Sequence, residues 1–259
     1  MSGLRVERDG AISRVTLDRP EVRNAFNAAL IAELRATFDD LAAHSALRGV
    51  VLAGDGPTFC AGADVDWMRA AIGLSIEQNE RDAAAMQAMF TAIDTCPVPV
   101  IARVQGAALG GGMGLCAVSD IVVATADASF GFTEARLGIL PAVISTFVLP
   151  KIGESHARAL FATGQRLDAR RAHQIGLVHE VVGDEAALDA RIEELLVELR
   201  AAGPTAARSA KALVRELRTL EPDAARLHTV SLIARQRTSK EGQEGLAAFL
   251  EKRPPGWRD

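Results

Sequence analysis

Three short apolar runs, Gly49–Ala53, Val98–Val104 and Ile121–Thr125, constrain this chain most, because long stretches with helical spacing lie between them. Runs of this length rich in Val and Ile read as buried strands. Asn27 is a candidate N-cap for a helix that carries Leu30, Leu34, Phe38 and Leu41 on one face. Ile76–Asp94 places Ala83, Met86, Phe90 and Ile93 on one apolar stripe. Strands joined through helices run parallel, so an α/β core follows. Asp9-Gly10 between Arg5–Arg8 and Ala11–Leu17 predicts a hairpin at the start. After Asp184 the composition turns to Ala, Arg, Glu and Leu, with breaks at Gly203-Pro204 and Glu221-Pro222. Three or four helices ending at Leu250 are predicted there, with Leu195, Leu196, Leu199, Leu213, Leu217 and Leu220 spaced for helix packing. The chain therefore divides into an α/β part, residues 1–183, and a helical part, residues 184–259.

Composition removes several function classes. The 259 residues carry 29 Lys and Arg against 33 Asp and Glu, a net charge of -4 that does not draw the chain to nucleic acid. Aromatics are 4% and Tyr is absent, which removes base-stacking platforms. Cys60, Cys96 and Cys116 are an odd set at irregular spacing, not a disulfide framework. The charged N-terminus lacks the apolar core of a secretory signal. The longest uncharged run, Val104–Ser119, is short for a bilayer span and rich in glycine. A cytoplasmic protein with no membrane partner is the expectation.

The motifs narrow the chemistry further. Neither a P-loop nor a Gly-x-Ser-x-Gly elbow occurs. His179-Glu180 opens like a zinc motif, but Gly183 stands where the second His belongs, so no metal site is expected. Gly112-Met-Gly114-Leu-Cys-Ala117 matches the dinucleotide fingerprint literally. Its context is wrong, because it neither follows its strand directly nor opens the fold. A second glycine loop, Thr58-Phe-Cys-Ala-Gly-Ala-Asp64, ends on a candidate helix cap. Two loops that free backbone N–H groups ahead of helices can supply a pair of donors for a developing oxyanion. Such a pair stabilises an enolate without a metal.

These residues resemble the enoyl-CoA hydratase/isomerase (crotonase) superfamily over nearly the whole chain. The segments that carry the resemblance are Arg19-Pro20…Asn24-Ala25-Phe26, Phe59–Asp64, Gly106–Gly112 with Ser119-Asp120-Ile121, and Phe130–Pro141. Gly164, Gly176-Leu177-Val178 and Phe249–Arg253 also fit. The resemblance implies a crotonase-like spiral of ββα turns with a helical C-terminal region that trimerises, giving a homotrimer or homohexamer. It implies an acyl-CoA substrate and no separate cofactor, coenzyme A being part of the substrate. Carried over by position, Glu134 is the catalytic carboxylate, and the backbone N–H groups of Ala63 and Gly111 are the oxyanion donors. Ala25, Ala61 and Asp64 would border the coenzyme A, and Arg23 and Lys252 would reach its phosphates, the latter from a neighbouring subunit. Solvated surface charge is the plainer reading of both cations.

One departure stands out. The second glutamate of two-carboxylate hydratases falls at position 114, which here is glycine. Sequence alone suggests that Gly114 gives the pocket extra room. Three readings follow: a hydratase for an unusual enoyl-CoA, a Δ3,Δ2-enoyl-CoA isomerase, and a CoA-binding relative without chemistry. Phe59–Met68 and Leu140–Phe147 look most like enzymes acting on methylglutaconyl- or isohexenylglutaconyl-CoA. Trp67, Met68, Met86, Met89 and Phe90 are candidates for the acyl wall, with core packing the plainer reading of each.

Overall fold

A computed structural model describes residues 3–258. In chain order the elements are β1 (Leu4–Asp9), β2 (Ile12–Leu17), α1 (Ala28–Ala43), β3 (Gly49–Gly54), α2 (Val65–Ala71), α3 (Ile76–Asp94), β4 (Val100–Val104), β5 (Ala107–Leu109), α4 (Gly111–Val118), β6 (Ile121–Thr125) and β7 (Ser129–Gly131). They continue with α5 (Ala142–Thr163), β8 (Arg166–Asp168), α6 (Ala169–Gln174), β9 (Glu180–Val182), α7 (Glu185–Ala201), α8 (Pro204–Leu217), α9 (Pro222–Thr238) and α10 (Lys240–Leu250). Short 3₁₀ turns lie at Pro20–Val22 and Thr133–Leu137.

The hairpin that Asp9-Gly10 predicts forms with its turn at Gly10-Ala11, with Leu4 opposite Leu17 and Asp9 opposite Ile12. From β2 onward the main sheet is parallel, in the order β1-β2-β3-β4-β6-β9. A second sheet, β5-β7-β8, lies alongside, and single parallel bridges at Phe26–Ala63 and Cys60–Ala108 extend it toward the start of the chain. Each turn of the chain thus enters the main sheet, crosses to the small sheet and returns through a helix. That is the ββα spiral.

Alternation along the strands explains why the main sheet is covered on both faces. Val50, Leu52, Val100, Ala102, Val122 and Ala124 point to the larger core with α1, α3 and α4. Ile12, Val51, Ile101 and Val123 point the other way and meet Leu188, Ile192 and Leu196 of α7. The first helix beyond residue 184 therefore covers the sheet. The rest of the helical part differs: among the described residues from 204 to 258 the buried side chain is Ala248. With α7, four helices form among the described residues beyond 184, because Ser239 caps a new helix after α9, a break that sequence spacing leaves unmarked.

Asn24 ties the first turn of the spiral together. It is fully buried in left-handed backbone, φ 56°. Its Oδ1 accepts from Arg19 N–H at 3.0 Å, and its Nδ2 donates to the carbonyls of Asp55 at 2.8 Å and Thr58 at 2.7 Å. Asn24→Ala strands these buried groups in a conformation alanine disfavours. We expect a loss of about 3 kcal/mol in stability, read from the midpoint of urea unfolding at unchanged slope.

Candidate active site

The site grows from three main-chain facts. First, Phe26 pairs with Ala63: Phe26 N–H donates to Gly62 O at 2.7 Å and Asp64 N–H donates to Phe26 O at 2.8 Å. In a parallel bridge of this register the N–H of Ala63 itself points away from Phe26. It meets no acceptor among the described residues. Second, Gly111 N–H is the first amide of α4, where no carbonyl lies four residues back within the helix, and it too has no acceptor among the described residues. Third, Gly110 N–H donates to Gly131 O at 2.9 Å, which ties the start of α4 to β7 and to the 3₁₀ turn that carries Glu134.

Gly110 is the point where these parts converge. Its φ of 49° is left-handed, and a Cβ there would stand 3.5 Å from Glu134 Oε1 and 3.8 Å from Gly62 Cα. The structure therefore brings Glu134, the Ala63 loop and the Gly111 loop to one place. Glu134 is half-buried, and its Oε2 is sealed from solvent without a hydrogen-bond partner among the described residues. Burial pushes its carboxyl above the usual carboxylate range, only partly offset by its own backbone N–H. No charged neighbour among the described residues contributes to that shift.

The other carboxylate of the loops is tuned oppositely. Burial pushes Asp64 up, but the amide of Asp66 and the guanidinium of Arg19 outweigh it and hold Asp64 below its ordinary range. Asp64 caps α2 by accepting from Asp66 N–H at 2.9 Å, and it pairs with Arg19 at 2.9 Å. Arg19 also donates to Ala25 O at 2.6 Å. Asp64 is thus an ionised structural group, as the sequence suggests for a cap. The Arg19 contacts and the two main-chain bonds of Phe26 to the Gly62–Asp64 loop are not visible in spacing, although both residues lie in the Arg19-Pro20…Phe26 segment.

The remaining predicted positions divide. Ala61 N–H donates to Arg23 O at 3.0 Å, so exposed Arg23 and half-buried Ala61 are neighbours on the rim. Ala25 is buried. Lys252 is exposed at the end of α10, which packs on α8 and α9 rather than on the donor loops. The expectation of free space at Gly114 needs correction. A Cβ there would stand 2.5 Å from Ile144 Cγ2 and 2.6 Å from Phe90 Cζ, so two buried side chains fill that volume. Met89 and Phe90 are fully buried, and Phe90 packs on Phe26 and Phe147. Trp67 and Met86 are half-buried against the same core. Arg136 lies over Gly164, a side chain turned to the end of α5. Burial pushes the thiols of Cys60 and Cys116 up to about 12, which leaves them protonated near neutrality.

Residues 7–259 match the family described as Enoyl-CoA hydratase/isomerase. The chain belongs to that family. It shares the crotonase fold with an enoyl-CoA hydratase from Shewanella pealeana, TM-score 0.94 at 36% identity over 98% of this chain and 96% of that one. AtuE of Pseudomonas aeruginosa superimposes with TM-score 0.96 at 38% identity, covering 99% of this chain and 100% of that one. The 2,3-dehydroadipyl-CoA hydratase of Escherichia coli is 30% identical over 264 aligned positions, 100% of this chain and 99% of the relative. The protein is accordingly an enzyme of the enoyl-CoA hydratase or isomerase kind, which sets aside CoA binding without chemistry. Among the described residues no helix is long and apolar enough to cross a membrane.

The burial of Glu134 has a stability consequence with a definite sign. A carboxyl whose folded pKa is raised binds its proton more tightly in the folded state, so stability falls as pH rises from the ordinary Glu range through the folded pKa. Below that range the folded protein bears no penalty. Glu134→Gln is therefore expected to be more stable than wild type at neutral pH and equal to it in acid. Urea unfolding of both proteins across pH measures this, and a Gln variant less stable at neutral pH contradicts it.

Proposed function

We propose that the protein adds water across the double bond of an enoyl-CoA, with Ala63 and Gly111 N–H holding the thioester oxygen and Glu134 acting as acid and base. The observation that carries this is the approach of Glu134 Oε1 to Gly110, at the junction of two loops in which Ala63 N–H and Gly111 N–H have no acceptor among the described residues. Water bonds to Cβ through its oxygen and gives one proton to Glu134. The π pair moves to Cα, and negative charge collects on the thioester oxygen between the two amides. Glu134 then returns its proton to Cα, so the elements of one water are added. A donor of this kind contributes about 3 kcal/mol to the transition state. A carboxyl raised by burial suits both halves of the cycle.

One observation favours a second reading. No charged group among the described residues perturbs Glu134, and Phe90 with Ile144 closes the space beside Gly114. A lone carboxylate in an apolar setting suits isomerisation, in which Glu134 takes a proton from Cα of a 3-enoyl-CoA and returns it to Cγ. The coenzyme A would pass Ala61, Ala25 and the Asp64 turn, with Arg23 and Lys252 of a neighbouring copy near its phosphates. Branched or carboxylated acyl groups are the substrates to try first, following the Phe59–Met68 and Leu140–Phe147 segments.

Crotonyl-CoA, a 3-enoyl-CoA and 3-methylglutaconyl-CoA incubated in ¹⁸O-water separate the readings. Hydration leaves solvent oxygen in the product, whereas isomerisation leaves none. Glu134→Gln is expected to bind acyl-CoA and lose turnover by about 10²–10⁴-fold, and full activity in that variant would remove Glu134 from the reaction.

Assembly is part of the same proposal. Val214, Leu227, Val230, Ile233, Phe249 and Leu250 stand exposed on α8, α9 and α10, more apolar surface than a helical arm leaves in water without a partner. Copies of this chain covering it would make a homotrimer or homohexamer. Light scattering at micromolar concentration is expected to give three or six times the chain mass, and a stable monomer contradicts this.

A further inference from the structure

Phe26 touches both halves of the donor pair. Its main chain grips the first loop, through Phe26 N–H to Gly62 O and Asp64 N–H to Phe26 O, on either side of Ala63. Its ring abuts the second loop: a Cβ on Gly111 would stand 2.5 Å from Phe26 Cε2 and 2.6 Å from Cδ2. The absence of a side chain at Gly111 is therefore what lets the ring edge lie against the α4 backbone beside the donor amide. The ring is itself locked. Phe26 is fully buried, and Phe90 meets it edge-to-face with centroids 6.1 Å apart and planes at 83°. Phe90 in turn packs on Gly114, one turn further along α4.

We propose that Phe26 is a positioning residue that sets the spacing and direction of the Ala63 and Gly111 amides. The proposal rests on the donor-pair reading above. Two donors on separate loops act on one oxygen only if the gap between the loops is held rigidly. Main-chain bonds at the Cys60–Ala108 bridge join the two loops three residues before each donor, and the ring of Phe26, carried by a residue bonded on either side of Ala63, adds a rigid contact at Gly111 itself. Phe26 touches no reacting atom. Its effect falls on how strongly a thioester carbonyl is polarised, not on how tightly coenzyme A is held.

The test uses the full chain and butyryl-CoA labelled with ¹³C at the thioester carbonyl, a saturated probe that binds without reacting. Hydrogen bonds from two amides weaken the carbonyl bond and lower its infrared stretch. In wild type the bound stretch is expected below that of free butyryl-CoA. Bound probe with no shift would overturn the donor-pair reading itself, independently of Phe26. Phe26→Leu keeps the main-chain bonds and most of the apolar volume but lacks the ring edge. It is expected to shrink the shift and lower kcat by roughly 10–100-fold, with KM within about threefold of wild type. Phe38→Leu, an equally buried aromatic on α1, controls for lost core packing and is expected to keep the wild-type shift. Gly111→Ala approaches the same contact from the other side with Phe26 intact, so it tests the idea even if Phe26→Leu does not fold. Its methyl group would enter the ring edge, and the same loss of shift and kcat is expected. Wild-type shift and turnover in folded Phe26→Leu or in Gly111→Ala overturn the proposal. Equal losses in Phe38→Leu overturn it as well.

Discussion

The pairing of short inner segments, Phe26 with Ala63, Cys60 with Ala108 and Leu109 with Gly131, is the constraint on which the site depends. A strand in the middle of a sheet uses all its amides, whereas a single bridge uses those on one side and leaves the others pointing outward. Ala63 N–H is left over in this way. Gly111 N–H is left over because a helix cannot satisfy its first amides. The spiral brings the loops that carry these two amides together, because successive turns pair Cys60 with Ala108 and set Gly62 against Leu109 and Gly110.

The carboxylates show how the same scaffold assigns different tasks. Asp64 lies between the Asp66 amide and Arg19, which keep it ionised and make it a fixed anchor for α2. Glu134 has burial and little else around it, so its proton is held more readily and released at higher pH. A buried carboxyl with an unpartnered oxygen destabilises the fold. Such strain at a site commonly accompanies activity that would be lost on relieving it. Phe26, Phe90 and Ile144 fill the space against α4 at Gly111 and Gly114.

Local chemistry was readable along the chain wherever one segment decides the outcome. The hairpin turns at Gly10-Ala11, one residue after the predicted Asp9-Gly10, Asn27 caps α1 by accepting from Leu30 N–H, and Ile76–Asp94 and Ile121–Thr125 run as their spacing predicts. The β5, β7 and β8 strands are three residues each, too brief for any period to register, yet they carry the donor loop and Glu134. Helix α5 contains Pro150 and a kink at Gly153, which hide its helical pattern. Gly114 misled for a different reason. A missing side chain reads as room in one dimension, but Phe90 and Ile144 arrive from two other helices and fill it. The Ala63 and Gly111 positions came from resemblance, and the one-sided bridge to Phe26 and the start of α4 explain why those amides are free.

A crystal structure of the enzyme with a saturated acyl-CoA bound tests the central claim most directly. The thioester oxygen is expected at hydrogen-bond distance, about 3 Å, from both Ala63 N and Gly111 N, with the Glu134 carboxylate facing Cα and Cβ. A thioester oxygen held by other groups, or an acyl chain lying away from Glu134, would contradict it.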